Sequence, residues 1–414
     1  MGSVSRSGRV LWAGLLALVG CQSDAVLAPA GVGPAAAVGE FGAITGGGRH
    51  GCVQRFNAST GASLGTFCWG ADERGQQGDG GAIPEGNNLR PTLVSSSGTF
   101  RQLAAGENFT CALPNGGGVP RCWGDNNRGQ LGNNSRTASA VPVPVTMPAG
   151  ISSFIKITAG KDHACALTAG GAGFCWGGNT YGQVGNSTNV DQLRPVPIFN
   201  GRTWHTITAG GEFTCAVQVS PRAAWCWGLN TSAQYGIGDA NARWWYPHNN
   251  VHGGHLWEKM EAGGKHVCGI TTSQKMYCWG AYEHGQLGAD LCPGDGLCLP
   301  GGTHADPSPT YGNRNWLDVD LGDEHTCAIE QRINNEVYCW GRGTEGQLGN
   351  GAYADVFIPT WRAGMVQGSS IEAGANFSVA QTVTGTIVTW GLNGNGQLGN
   401  GTTTTRNTPL QILP

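Results

Sequence analysis

The stretch that decides the fold reads Cys122-Trp123-Gly124-Asp125-Asn126-Asn127-Arg128-Gly129-Gln130-Leu131-Gly132. Six variants of it occur along the chain, and they begin at Cys68, Cys175, Cys226, Cys278, Cys339 and Thr389. The tryptophans of these seven copies are 50 to 61 residues apart. A second element precedes each copy and is clearest as Ala105-Gly106-Glu107-Asn108-Phe109-Thr110-Cys111-Ala112-Leu113. Self-similarity at such a period indicates one supersecondary unit repeated along the chain.

The composition is typical of a turn-rich repeat protein rather than of a nucleic-acid binder. Glycine accounts for 71 of the 414 residues, and most glycines occupy fixed repeat positions, as expected for tight turns between short strands. Charged residues make up 12% of the chain, about half the usual share, and the net charge is -3. The sequence has no basic arm or stripe, so it lacks the electrostatic footprint of nucleic-acid binding.

Each repeat reads as four short strands. A proline-containing strand such as Pro142–Val145 comes first, and an apolar strand ending in glycine, such as Ile157–Gly160, comes second. The third strand runs through the first cysteine of the repeat, and after a hairpin the fourth leads into Cys-Trp-Gly. Short strands at regular spacing with turn signals between them predict an all-β closed array, with the prolines on edge strands.

The two ends of the repeat region predict how the array closes. The first repeat begins at Ala43-Ile44-Thr45-Gly46 and has no convincing proline strand before it. The chain ends with such a strand, Thr408–Ile412, and nothing follows it. Pairing these segments in one blade would remove a free sheet edge. We therefore expect residues 41–414 to form a seven-bladed β-propeller, closed by pairing of its N- and C-terminal segments in one blade.

The cysteines follow the repeat. Twelve of the 15 occupy two repeat positions, one after the glycine turn and one before Trp-Gly. The seventh repeat has Val379 and Thr389 there, so it lacks both cysteines together, as expected if the two are bonded to each other. The predicted disulfides are Cys52–Cys68, Cys111–Cys122, Cys165–Cys175, Cys215–Cys226, Cys268–Cys278 and Cys327–Cys339, with Cys292–Cys298 as a seventh inside an insertion. This density indicates an oxidising compartment; the alternative is a set of reduced, buried thiols.

The first 20 residues read as a secretion signal. Arg6 and Arg9 precede the apolar run 10–19, which is too short to span a bilayer as a helix. Leu18-Val19-Gly20-Cys21 resembles the bacterial lipoprotein box. The resemblance implies that cleavage before Cys21 leaves this cysteine as a lipidated N-terminus. The alternative is an ordinary signal peptide with a chance cysteine.

Residues 21–40 are expected to form a flexible tether between the lipid and the propeller. This segment is rich in alanine, proline and glycine and has almost no charge. Gln22, directly after Cys21, is similar to the residue found in outer-membrane sorting signals. The resemblance thus implies an exported protein of the bacterial cell envelope, anchored at the outer membrane or the cell surface, whose only membrane contact is the lipid on Cys21.

The repeat itself resembles a known family. Gly129-Gln130-Leu131-Gly132 after Cys-Trp-Gly, together with residues 105–113, is similar to the regulator of chromosome condensation repeat. The resemblance implies a seven-bladed β-propeller. The founding member of the family is a nuclear exchange factor for a small GTPase that also binds chromatin, and another member is a secreted bacterial inhibitor of β-lactamases. The export signal, paired cysteines and lack of a basic arm argue against exchange activity and chromatin binding.

The connector after the fourth repeat holds the candidate binding residues. Trp244, Trp245 and Tyr246 are candidate partner-binding residues because exposed aromatics anchor interfaces; the alternative is that they pack over the end of the propeller. His248, His252 and His255 form a weak candidate site for Zn²⁺ or Cu²⁺ if the loop folds them together. Otherwise no metal and no cofactor is expected. The loops 237–257 and 289–309 are the expected recognition elements.

Two further sets of polar residues are interpreted as structural. One repeat position carries histidine in four repeats and phenylalanine in three, namely His50, His163, His266, His325, Phe109, Phe213 and Phe377. A position that accepts phenylalanine is filled for its volume. A cluster of carboxylates near one turn is expected to form a solvated rim, and its members are Asp318, Asp320, Asp323 and Glu324.

The sequence therefore predicts a protein that binds rather than reacts. No convergent catalytic set appears, so we expect a monomeric, non-catalytic binding or scaffold module with an unknown protein or glycan partner and no nucleic acid. The first alternative is a secreted enzyme inhibitor similar to the propeller-type β-lactamase inhibitor. Guanine-nucleotide exchange and an enzyme with a site on the propeller axis are weaker alternatives, since an exported protein would not meet a cytosolic GTPase.

Overall fold

The structure is a computed structural model that describes residues 41–57, 59–95, 98–289, 302–332, 334–360 and 366–412. These residues form 27 β-strands and no α-helix. Within this part of the chain no helix is long and apolar enough to cross a membrane. The predicted signal 1–20, the tether 21–40 with Cys21, and the Cys292–Cys298 pair lie outside the described residues.

The strands are grouped into seven antiparallel sheets, each made of consecutive strands. Blade 1 contains β1 (Phe41–Gly46), β2 (His50–Phe56), β3 (Ser63–Gly70) and β4 (Asn88–Leu93). Blade 2 contains β5 (Phe100–Ala105), β6 (Phe109–Pro114), β7 (Arg121–Gly124) and β8 (Ser139–Pro144). Blade 3 contains β9 (Lys156–Ala159), β10 (His163–Leu167), β11 (Gly173–Gly177) and β12 (Gln192–Pro197). Blade 4 contains β13 (Trp204–Ala209), β14 (Phe213–Gln218) and β15 (Ala224–Gly228). Blade 5 contains β16 (Trp257–Ala262), β17 (His266–Thr271), β18 (Met276–Ala281) and β19 (Thr303–Pro309). Blade 6 contains β20 (Trp316–Leu321), β21 (His325–Glu330), β22 (Val337–Gly341) and β23 (Val356–Thr360). Blade 7 contains β24 (Gly368–Ala373), β25 (Phe377–Thr382), β26 (Ile387–Gly391) and β27 (Arg406–Ile412).

The seven sheets form the ring of a β-propeller, which confirms the predicted fold class. The first strand of each blade is innermost, and its residues alternate between two environments as the period of a strand requires. In β9, Ile157 is buried between blades, whereas Lys156 and Thr158 are half-buried and line the axial channel. The second and third strands are almost entirely buried, as β10 and β11 show.

The expected closure by a shared blade is wrong. The C-terminal strand β27 pairs with β26 in blade 7, and the N-terminal strand β1 pairs with β2 in blade 1. The reason is that the structural blade and the predicted sequence repeat start at different strands. The proline strand is the outer, fourth strand of the blade that precedes it, as Val143 in β8 opposite Cys122 in β7 shows. Since β1 is an inner strand and β27 is an outer proline strand, no blade is divided between the two ends of the propeller.

A ring of tryptophan hydrogen bonds joins the blades instead. Each Trp-Gly indole Nε1–H donates to the backbone oxygen of the loop glutamine in the preceding blade, at 2.8 to 3.0 Å. The bond from Trp69 to Gln397 closes the ring across the two ends of the chain. Gly399 needs its φ of 65° here, and a Cβ on it would lie 2.9 Å from Trp69 Cδ1. The repeated tryptophan and the last glycine of the loop are thus a joint between blades.

Six disulfides link the second and third strands of blades 1 to 6, and they are the six pairs that the repeat predicts. They are Cys52–Cys68, Cys111–Cys122, Cys165–Cys175, Cys215–Cys226, Cys268–Cys278 and Cys327–Cys339. Each joins residues directly opposite each other in the sheet, such as Cys165 and Cys175. Blade 7 places Val379 opposite Thr389 in the same register.

Candidate functional site

The inner strands of all seven blades surround an axial channel with a volume of about 530 Å³. Small residues line much of it, because each inner strand ends in a glycine turn that approaches the next blade closely. At Gly160, for example, a Cβ would lie 2.2 Å from the oxygen of Gly210. The channel is a concave feature lined by all seven blades, and it is therefore the first place to look for a site.

Charged side chains collect on one side of this channel, on blades 5 to 7. Lys259 on β16 lies against Asp318 on β20, and its Nζ is 3.4 Å from Glu261 Oε1. The same Nζ donates to the oxygen of Val319 at 3.0 Å. Asp320 Oδ2 accepts a hydrogen bond from the N–H of Ala373 at 2.6 Å. The cluster is therefore largely paired within itself.

Burial and like charge raise the proton affinity of this cluster. Burial raises the pKa of Asp320 to about 8, and the nearby Glu261 adds to the rise. Burial beside Asp320 also raises the pKa of Glu372 well above its usual range. Burial alone would lower the pKa of Lys259, but the carboxylates of Asp318 and Glu261 outweigh it and raise this pKa.

The interpretation of these carboxylates as a solvated rim is wrong for two of the four. Asp318 and Asp320 alternate with the buried Val319 and Leu321 on β20, which turns both carboxylates toward the axis. Only Asp323, exposed at the following turn, and Glu324, half-buried, fit the expectation. The alternation of polar and apolar residues in Trp316–Leu321 is the sequence signal that locates Asp318 and Asp320.

The charged side chains of the channel form an ion-pair network. A carboxyl group that titrates near neutrality can transfer protons, but structural ion pairs shift pKa values in the same way. Among the described residues that line the channel there is no histidine, cysteine or serine to act with it. Lys259 forms ion pairs with both Glu261 and Asp318.

The repeated histidines are buried inside the joints between blades. The Nε2 atoms of His50, His163, His266 and His325 lie 2.7 to 3.0 Å from the hydroxyls of Thr110, Thr214, Thr326 and Ser378 in the following blades. These hydroxyls donate onward to loop glutamine carbonyls, so each Nε2 carries the hydrogen and donates. Burial lowers the pKa of all four rings to about 3, which keeps them neutral. The four histidines are structural, as expected, but each contributes a hydrogen bond between blades as well as the volume of its side chain.

The aromatic stretch after blade 4 replaces an outer strand. Only isolated bridges, Gly228 with Trp244 and Trp225 with Asn250, connect it to β15. Trp244 is half-buried and stacks on Tyr235 with ring centroids 5.1 Å apart. The sequence left two possibilities for this stretch: exposed aromatics that bind a partner, or aromatics that pack against the propeller. Trp244 packs against the propeller.

The neighbouring aromatics remain at the surface. Trp245 is 43% exposed and its backbone lies over Gly182 of blade 3. Tyr246 meets Phe199, itself 47% exposed, at 5.2 Å. His248 stands 4.7 Å from Trp244 and 5.7 Å from Tyr246, also between ring centroids. We call Phe199, Trp244, Trp245, Tyr246 and His248 the aromatic edge of blade 4.

The structure does not bring the three candidate metal-binding histidines together. His248 belongs to the aromatic edge, His252 Nδ1 lies 2.9 Å from Asp306 Oδ1, and His255 packs on Tyr277 with ring centroids 4.0 Å apart. Burial lowers the pKa of His255. No group of potential metal ligands in the described part of the chain contains any of the three. Their different packing partners separate them.

Another histidine does lie among carboxylates, and no sequence pattern pointed to it. His284 Nδ1 is 2.8 Å from Asp355 Oδ2, and its Nε2 is 3.7 Å from Glu324 Oε2. Arg342 also binds Glu324 Oε2, at 2.7 Å. An arginine on this carboxylate makes the group a surface ion-pair network between blades 5 and 6.

This propeller belongs to the RCC1-like family. The sequence matches the RCC1-like domain over residues 43–371, and the regulator of chromosome condensation (RCC1) repeat over residues 369–397 and 384–414. It is similar to the ultraviolet-B receptor UVR8 of Arabidopsis thaliana, with 29% identity over 301 residues, covering 71% of this chain and 64% of the receptor. It is also similar to the secretion-regulating guanine nucleotide exchange factor of Mus musculus, with 28% identity, covering 77% of this chain and 70% of that protein. The chain thus spans less than two thirds of the plant receptor.

Solved structures share the fold. Yeast RCC1 (Prp20), in its complex with Kap60, superposes with a TM-score of 0.73 at 20% identity, over 84% of this chain and 83% of that one. Human WBSCR16 gives a TM-score of 0.72 at 19% identity, over 84% and 93% of the two chains. At this identity the likeness establishes the propeller fold and nothing about partners.

Proposed function

We propose that this protein is a non-catalytic binding or scaffold module, exported and held at the bacterial cell envelope by a lipid on Cys21, with a protein or glycan as its partner. Its family includes a receptor and an exchange factor among the relatives described above. Yeast RCC1 (Prp20) has been solved bound to a second protein, Kap60. Binding proteins are thus well represented among propellers of this kind.

The aromatic edge of blade 4 is the observation that carries the proposal. Trp245 and Phe199 expose 43% and 47% of their surface, and Phe199 contacts Tyr246, so the exposed aromatics form a patch. The edge replaces the proline-bearing outer strand that closes the other blades, so it is both more aromatic and less regularly paired. Exposed tryptophan and tyrosine on a rigid support are the residues that most often dominate binding energy at interfaces.

The disulfides and the N-terminal segment support the placement outside the cytoplasm. Six bonded pairs in the described residues suit an oxidising compartment, because cytosolic thiols are kept reduced. The lipoprotein-box resemblance at Cys21 supplies the tether. A folded module on a short flexible segment near a membrane is well placed to hold partners and needs no reaction of its own.

Site-specific crosslinking in living cells tests the aromatic edge. We replace Trp245 with the photoreactive amino acid benzoylphenylalanine, illuminate intact cells and identify adducts by mass spectrometry. We expect one dominant protein or glycan adduct, because the probe lies on the proposed surface. The side chain is partly exposed, so the change should leave folding intact.

Tyr353 provides the matched control. It is an aromatic residue with 53% exposure in the loop of blade 6, away from the aromatic edge. The same probe at Tyr353 should not give the adduct seen at position 245. Equal adducts at both positions, or none at position 245, would reject the aromatic edge as the binding surface.

A further inference from the structure

The loop between the Trp-Gly strand and the outer strand is organised by one buried asparagine in four blades. In blade 2, Asn126 Oδ1 accepts a hydrogen bond from the N–H of Leu131 at 3.0 Å. Asn126 Nδ2 donates to Asn133 Oδ1 at 3.2 Å and to the carbonyls of Ser135 and Thr137 at 3.1 and 3.0 Å. The amide NH₂ group thus lies among three oxygen acceptors.

Blades 3 and 7 repeat this arrangement. Asn179 Nδ2 donates to Asn186 Oδ1 and to two loop carbonyls, at 3.0 to 3.3 Å. Asn393 Nδ2 donates to Asn400 Oδ1 and two loop carbonyls, at 2.9 to 3.3 Å. In these blades a positively polarised group at this point satisfies oxygens that would otherwise face one another.

Blade 1 departs from this pattern at two positions. It has Asp72 in place of Asn126 and Asp79 in place of Asn133. Asp72 Oδ1 still accepts a hydrogen bond, from the N–H of Gln77 at 2.9 Å, so the loop is held in the same way. Asp72 is completely buried, and its Oδ2, which corresponds to the NH₂ group of asparagine, has no hydrogen-bond partner among the described residues.

A third carboxylate joins these two. Sixteen positions separate Asp72 from the start of β4, against thirteen from Asn126 to the start of β8, and the longer loop supplies Glu85. Oxygens of Asp72, Asp79 and Glu85 all lie within 4.8 Å of one another. Glu85 Oε2 is also buried without a hydrogen-bond partner in the described part of the chain. None of the ion pairs described there involves any of the three carboxylates.

Other contacts hold the carboxylates in position. Asp79 accepts hydrogen bonds from the N–H of Gly81 and from Asn88 Nδ2, both at 3.0 Å. Glu85 folds back over Gly81, where a Cβ would lie 1.4 Å from Glu85 Oε2. Burial raises the pKa of Asp72 to about 7, against the hydrogen bond from Gln77, and the carboxylates of Asp79 and Glu85 add to the rise. The negative charge of this group is therefore unbalanced by the protein.

We propose that Asp72, Asp79 and Glu85 bind a calcium ion in the first blade, where blades 2, 3, 4 and 7 place an asparagine NH₂ group. The donor set consists of carboxylate oxygens, which suit Ca²⁺ or Mg²⁺ and not the nitrogen and sulfur ligands preferred by Zn²⁺. Ca²⁺ accepts irregular coordination from a loop, whereas Mg²⁺ demands near-octahedral geometry and keeps most of its water. A buried carboxylate in an irregular loop therefore favours calcium.

Calorimetric titration tests the site directly. The full-length protein is freed of metal with EGTA, dialysed, and titrated with CaCl₂, and its unfolding temperature is recorded with and without about 1 mM calcium, the weak end of known protein sites. We expect one calcium ion per chain and a higher unfolding temperature in calcium. Mg²⁺ at the same concentration should give a smaller rise, and an equal rise would contradict the assignment to calcium.

The double variant D72N/D79N is the matched control for folding. It restores the asparagine pair that blades 2, 3 and 7 use, so without calcium its unfolding temperature should equal or exceed that of the native protein. Its calcium binding should be lost. Calcium binding that survives in D72N/D79N would place the ion elsewhere and overturn the proposal.

Gly81→Ala tests the third ligand without removing a charge. The new Cβ displaces Glu85 from Gly81, so calcium affinity should fall at least about tenfold, while the EGTA-treated variant remains folded. An unchanged affinity would remove Glu85 from the site. The competing arrangement, a proton shared between Asp72 and Asp79, predicts no calcium binding and no calcium-dependent unfolding temperature in the native protein, and that result would overturn the proposal.

Discussion

At the scale of single residues, the histidine position shows how neighbouring blades depend on each other. Each blade with histidine there is followed by a blade with threonine or serine at the next position, as in the pair His163 and Thr214. Each blade with phenylalanine is followed by a blade with glycine, alanine or valine, as in the pair Phe109 and Ala164. The two residues form one polar or one apolar joint, because a buried Nε2–H needs an acceptor.

This pairing predicts a non-additive pair of substitutions. Thr214→Ala leaves the Nε2–H of His163 without its acceptor and should lower the free energy of unfolding by about 1 to 3 kcal/mol. His163→Phe with Thr214→Ala copies the Phe109 and Ala164 joint of the neighbouring blade and should lower it less. Guanidinium unfolding of both variants measures the difference. A double variant at least as destabilised as Thr214→Ala alone would contradict the pairing.

The same joint predicts an acid-sensitive contribution to stability. Burial lowers the pKa of His163 from 6.5 to about 3, so below pH 6.5 the unfolded chain binds a proton that the folded chain does not. The stability is fully present above pH 6.5 and falls by about 1.4 kcal/mol per pH unit toward pH 3 for each such histidine. The double variant H163F/T214A should flatten the pH dependence by this amount. An unchanged slope would show that His163 is not held neutral.

Sequence reasoning found the position of these histidines but not their partners. Alignment of the seven repeats shows only that phenylalanine can replace histidine at this position. The hydroxyl partner appears only when each repeat is compared with the next one, and that comparison needs the blade order that the structure supplies. The expectation of a solvated rim is wrong for Asp318 and Asp320 because they alternate with the buried Val319 and Leu321 along β20.

At the scale of elements, the disulfides are the feature that the sequence predicted best. Loss of both cysteines in one repeat was sufficient to pair the other twelve, because bonded residues are lost together. In blade 7 the pair is Val379 and Thr389, which lie opposite each other without a bond. That blade is a natural template for removing a disulfide elsewhere.

The double variant C165V/C175T copies this template in blade 3. Its cysteines are 10 residues apart, so loss of the bond should lower the free energy of unfolding by about 3 kcal/mol without changing the fold. Denaturant unfolding in the absence of reductant measures it. The reverse change, V379C/T389C, should form a disulfide in blade 7. Two free thiols at these positions would contradict the shared register.

The strands themselves were predicted well, but their grouping was not. The turn, cysteine and proline signals located each strand, yet a repeating sequence has no intrinsic starting point. The expected unit began with the proline strand, whereas the structural unit ends with it, as β8 on β7 shows. The outer edge of blade 4 was harder still, since Trp244–Asn250 contains a proline, Pro247, but forms only isolated bridges.

At the scale of the whole molecule, closure depends on a joint that is the same everywhere in the ring. The bond from Trp69 to Gln397 joins residues 328 positions apart, yet its length of 2.8 Å matches the bonds between blades that are adjacent in sequence. No shared blade is needed, because the last blade offers the first tryptophan the same loop carbonyl. The sequence contained this information in the seven equal motifs.

The proposed location of the protein, outside the cytoplasm, can be tested on the whole molecule. We propose that this propeller, with its bonded cysteines and a lipid on Cys21, works outside the cytoplasm as a tethered binding module. The central claim is tested most directly by the intact mass of the protein, extracted from its own cells with an alkylating agent and no reductant. We predict a chain that begins at Cys21, carries acyl groups and has no alkylated cysteine. A mass that retains residues 1–20 and shows alkylated thiols throughout would contradict it.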